Sequence, residues 1–74
     1  MIAEHDQVVL TRDLPEHRLV AGDVGAVVAV HSGGDGFTLE FTTLAGETIA
    51  IVTVPRSDVR EAAKREMAHV RAAE

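Results

Sequence analysis

Cysteine is absent, so no disulfide can staple this chain and no thiolate can hold a metal. Tryptophan and tyrosine are also absent, and the only aromatics are Phe37 and Phe41. Stacking platforms for nucleic-acid bases need exposed aromatic rings, and two rings cannot supply one. Basic residues are scarce: seven Lys and Arg stand against twelve Asp and Glu, for a formal charge of −5. That sign opposes binding to phosphate backbones and anionic membranes. No run approaches the roughly 18 apolar residues of a membrane span. The first residues, Met1 to Asp6, show neither a basic nor an apolar leader region. The missing cysteines fit a cytoplasmic protein.

Seventy-four residues make a single small domain, taken here as 1–74. A chain of this size buries about 60% of its unfolded surface. Without disulfide or metal, its stability must come from its apolar core or from association.

The apolar pattern is that of strands. Residues 19–31 form the most informative stretch. Gly22 and Asp23 make a turn, in which glycine supplies a positive φ and aspartate is expected to accept its own downstream amides. Val24 to Val30 then reads as an apolar strand, and Gly25 inside it marks a bulge or a close backbone approach. Before it, residues 7–11 read as a first strand, and Arg12 to Val20 as a loop broken by Pro15. Residues 32–36 hold three glycines and read as a hairpin connection. A phosphate loop would need a helix behind it, and a strand follows instead. In residues 37–43, Phe37, Leu39 and Phe41 share one face and Thr38, Glu40 and Thr42 the other. Gly46 turns the chain into a fourth strand, Thr48 to Val54, which Pro55 stops. A single 3₁₀ turn suits Ser57 to Arg60.

Residues 61–74 are rich in helix formers, and Val59, Ala63, Met67 and Val70 would make a helical stripe. The same residues also allow a short terminal strand. Five basic residues, Arg56, Arg60, Lys64, Arg65 and Arg71, gather in this last part, interrupted by Glu61, Glu66 and Glu74. The mixture reads as a solvated face.

The second and fourth strands are apolar on both faces. A half-solvated antiparallel sheet should alternate. Their outer face therefore expects a cover, either the C-terminal segment or a second chain. The residues assigned to that face are Val27, Ala29, Ala50 and Val52.

The order of short motifs resembles the SH3-like small barrels. Gly22 to Val27 is similar to the core of KOW-type and nitrile hydratase β-subunit-type barrels. Over its full length the chain resembles a family of small bacterial proteins, the domain of unknown function DUF4926. The resemblance rests on Val8 to His17, Gly22-Asp23-Val24-Gly25, Leu39-Glu40-Phe41, Ile49 to Val54, Asp58-Val59-Arg60 and His69-Val70-Arg71. It implies an SH3-like barrel without an assigned activity, and a role beside neighbouring small proteins, toxin-like ones among them. It also implies a closing strand at Glu66 to Arg71. Glu61 departs from the pattern, which often has proline there.

Catalytic chemistry finds little support. His5, His17, His31 and His69 lack zinc-ligand spacing, so no metal site and no cofactor is expected. His5 and His69 would meet only if the first and last strands bring them together. The carboxylates are scattered, and Ser32 and Ser57 have no neighbouring base. A barrel this small is filled by side chains and leaves no substrate pocket. The expectation is an all-β, five-stranded antiparallel SH3-like barrel with a short 3₁₀ turn, and a C-terminal segment that is a closing strand or a short helix. Gly22, Asp23, Gly25 and Gly46 are its structural turn residues. In function it is expected to be no enzyme but a protein-interaction module, antitoxin-like or accessory, with a protein partner or a second copy. The alternatives are a KOW-like RNA-binding module and an accessory subunit of a larger enzyme.

Overall fold

A computed structural model describes residues 1–73 of the chain. Five antiparallel strands form one sheet: β1 (Gln7–Leu10), β2 (Val24–His31), β3 (Gly36–Thr42), β4 (Thr48–Pro55) and β5 (Val59–Glu61). Their order is β4-β3-β2-β1-β5, so the first and last strands pair, as an SH3-like barrel requires. Two 3₁₀ turns, Pro15–His17 and Arg56–Asp58, complete the regular structure.

The core is aliphatic, with two rings. Phe37, Leu10, Leu39, Val8 and Val27 are the largest fully buried side chains. β3 shows the expected period of two: Phe37, Leu39 and Phe41 are buried, while Thr38 and Glu40 are half-buried on the other face. The Arg12–Val20 loop contributes more than connection. Leu14 and Leu19 form an isolated antiparallel bridge and both join the core. Pro15 starts the 3₁₀ turn between them, and Arg18 reverses the chain at φ 57°.

Gly25 is a close approach rather than a bulge. It faces Val8 across the β1–β2 pair, and a Cβ there would lie 2.8 Å from the Phe41 ring. The ring fills the space that a side chain would take. The bulges lie elsewhere, between Val27 and Ala29 in β2 and at Phe41/Thr42 beside β4.

The end of the chain corrects two expectations. The 3₁₀ turn is Arg56–Asp58, and the closing strand follows at once as Val59–Glu61, not at Glu66 to Arg71. Residues 62–73 hold neither helix nor strand. The helical stripe fails because Val59 is spent in the barrel core, where it is 8% exposed. What remains is too short to be a stable helix without packing. Ala63 to Glu66 instead makes a turn, with the Glu66 amide donating to the Ala63 carbonyl.

Candidate interaction surfaces

Three features of the surface have enough structure to act. The first is the outer face of the β2–β4 sheet. Cross-strand register sets its rows: Ala26, Glu40 and Ile51 lie side by side, and so do Ala29, Thr38 and Thr53. Thr38 is the centre of a polar ladder. Its hydroxyl meets His31 Nε2 at 2.7 Å and the Thr53 hydroxyl at 2.8 Å. One row along, the Thr48 hydroxyl donates to Glu40 Oε2 at 2.8 Å. Aliphatic side chains flank this polar row. Val28 is 44% exposed on the β2 side, and Ile51 is 62% exposed on the β4 side.

The four residues assigned to this face from sequence do not share it. Val27 and Val52 point inward and belong to the core, and Ala50 packs against that core. Ala29, beside Thr38, is the one that lies outside. The exposed large aliphatics of β2 and β4 are Val24, Val28, Ile49 and Ile51. A one-residue slip moves a whole strand's side chains to the other face. In β2 and β4, apolar on both sides, composition offers no clue to which set is inside.

The second feature is the turn entering β2. Gly22 takes φ 95°, and Asp23 folds back to accept the Val20 amide on Oδ2 at 2.9 Å. The capped amide is thus upstream of the aspartate, not downstream as expected, because the chain folds back through Gly22. The Asp23 carboxylate also receives Arg71 from the tail. Arg71 Nε donates to Oδ1 at 2.8 Å and Nη2 to Oδ2 at 2.5 Å. The same Nη2 reaches the Arg18 carbonyl at 3.3 Å. Burial pushes the Asp23 pKa up, but the Arg71 hydrogen bonds, the Val20 amide and the Arg71 charge outweigh it and hold it below 3.8. Sequence reasoning placed Arg71 in the basic group but missed its pairing with Asp23, because the pair spans 48 positions and no local pattern announces it. Between this tail and the β3–β4 hairpin lies an open groove of about 580 Å³, with Val24, Leu44, Ile49 and Val70 among its walls.

The third feature is a polar notch of about 200 Å³ between the two 3₁₀ turns. Asp58, the one buried charged residue described, sits there 3.5 Å from Arg12 Nη1. The neighbouring Thr11 hydroxyl donates to the Ser57 carbonyl, and the Thr11 amide to the Asp58 carbonyl. These bonds tie β1 to the second 3₁₀ turn, which is a structural task. Among the described residues, no group of three or more His, Asp or Glu side chains is placed to hold a metal ion. The remaining turn glycine, Gly46, stands at φ 91° in the β3–β4 hairpin, where its amide donates to the Thr43 carbonyl. No helix among the described residues is long and apolar enough to cross a membrane.

Comparison with known proteins adds a family. No curated protein and no solved structure is matched by the chain. Residues 4–61 match a family described as a domain of unknown function. The match ends with β5, so it takes in the whole barrel and the Asp23 turn, while His69-Val70-Arg71 falls outside it. On that match, across most of its length, the chain belongs to the DUF4926 family.

Proposed function

We propose that the protein is a non-catalytic interaction module that docks another protein on the outer face of β2–β4. The observation that carries this reading is the pair of aliphatic flanks on that face, Val28 at 44% and Ile51 at 62% exposure, set around the Thr38 ladder. Apolar side chains around satisfied polar groups give a partner both buried area and register. The tail does not cover these two residues. It passes instead beside Val24 and Ile49. The packed barrel interior and the open shape of both surface depressions favour binding over chemistry. An antitoxin-like cover for a neighbouring small protein and an accessory subunit of a larger enzyme are both forms of this activity.

Capture from the native host at low salt, with and without nuclease, tests it. Wild-type chain is expected to retain one stoichiometric protein that survives nuclease, and Ile51→Asp to lose it. Ile51 is exposed, but aspartate is disfavoured in a strand and would stand opposite Glu40, so the substitution should cost about 1 kcal/mol, and a thermal melt checks that the variant is folded. Equal capture by both chains would sink the proposed surface. Loss of the captured material on nuclease treatment would replace the reading with RNA binding.

A further inference from the structure

The Asp23 turn has a property the outer face lacks: its polar group is already aimed. The Val20 amide holds Oδ2, and the left-handed Gly22 fixes the backbone beneath it. Neither constraint depends on the tail. With the tail in place the Asp23 side chain is 15% exposed, and both of its oxygens meet a guanidinium side by side. Arg18, held at φ 57°, turns its carbonyl toward the same guanidinium. A planar fork facing two carboxylate oxygens and a carbonyl is the geometry that selects arginine over lysine.

The present occupant is lightly held. No residue from 62 to 73 is buried, and Met67 and Val70 are 92% and 72% exposed. Asp23 lies within the family match and Arg71 outside it. The apolar groove beside the pair stays open with the tail in place.

We propose that the Asp23 turn is a receptor for an arginine side chain on an extended segment of a partner protein, and that the chain's own tail guards it through Arg71. The partner segment carries arginine next to small or aliphatic residues, as Val70-Arg71-Ala72 does here. The excess of acidic residues in the chain favours such a basic segment. The guard competes as an intramolecular ligand, tethered through the ten positions from Glu61 to Arg71. Short flexible tethers give effective concentrations on the order of millimolar. A partner segment must therefore outcompete the tail, and removing Arg71 should open the site. This inference is independent of the outer face of β2–β4 and can stand or fall without it.

The test is an NMR titration of the full chain with a capped peptide of sequence Glu-Met-Ala-His-Val-Arg-Ala-Ala. In Arg71→Ala chain, saturable shifts are expected at the Gly22, Asp23 and Val24 amides. In wild type the same peptide should bind about threefold more weakly, because the tail occupies the site and holds it with no more than the energy of an exposed ion pair. A peptide with alanine in place of its arginine should leave those amides unmoved, and this arm needs no second protein variant. Adding Asp23→Asn to Arg71→Ala should abolish the shifts, with the remaining amide spectrum reporting that the barrel is folded. Absence of binding to Arg71→Ala, equal affinity for both chains, or equal binding of the alanine peptide would each overturn the proposal.

Discussion

The barrel and the tail are held by different physics. From β1 to β5 the chain buries a continuous aliphatic core, and every strand contributes to it. From residue 62 to 73 nothing is buried, and among the described residues the tail is fastened by hydrogen bonds, from the Ala62 amide to the Gln7 carbonyl, between Arg60 and Glu66, and from Arg71 to Asp23 and the Arg18 carbonyl. Area removed from water stabilises cooperatively and without direction. Exposed ion pairs contribute little to global stability but fix geometry. One chain thus combines a body that resists change with an appendage that can let go.

The largest expected contrast is between two apolar truncations. Leu39→Ala, at a fully buried site, should cost about 2–5 kcal/mol. That is a large share of the total for a domain whose stability is of order 4–11 kcal/mol. Met67→Ala, in the tail, should change stability by no more than about 0.5 kcal/mol. Urea unfolding midpoints decide this, and similar losses for both variants would erase the distinction between body and appendage.

A smaller effect belongs to Asp23, where the two regions meet. Asp23→Ala removes the Val20 cap and the Arg71 anchor together, at a cost of about 1–2 kcal/mol. Arg71→Ala leaves the cap and should cost less than about 1 kcal/mol. The folded-state pKa of Asp23 lies below its ordinary 3.8. Its ionised form therefore stabilises the fold fully above that value, and the contribution is lost as pH falls through the depressed folded pKa. Acid unfolding should show the gap between wild type and Asp23→Ala closing below pH 3.8 as the carboxylate protonates. A gap that is flat with pH would mean that the carboxylate's charge plays no part.

The smallest expected effect lies wholly in the tail. Arg60 pairs both nitrogens with the Glu66 oxygens at 2.7 Å, and the Ala63 amide adds a third bond. Together they bring the Glu66 carboxyl down to about 2. Carbon-detected NMR titration should find that midpoint, and Arg60→Ala should raise it toward the usual 4.5 with little change in the global unfolding midpoint. A Glu66 that titrates near 4.5 in wild type would show the tail turn to be open.

The sequence by itself determined four of the five strands, their antiparallel sense, the hairpin turns and the inward set of β3. Local patterns carry all of these: Phe37, Leu39 and Phe41 alternate with polar residues, and glycines punctuate the turns. Asp23 was legible as a turn aspartate for the same reason. The closing strand, expected at Glu66 to Arg71, lies instead at Val59–Glu61. Facing in β2 and β4 was not legible, because it depends on two bulges. The bulge between Val27 and Ala29 sets Val27 opposite Leu39, and the one at Phe41/Thr42 sets Ala50 opposite Phe41. Each bulge flips a strand whose two sides have nearly the same composition, and only pairing with β3 decides between them. The tail was decided the same way. Helix propensity is worth a few tenths of a kcal/mol per residue, whereas burying Val59 in the core is worth about 1.5 kcal/mol or more. The barrel took Val59, the stripe lost its first member, and Arg71 found its partner 48 residues away in the turn before β2.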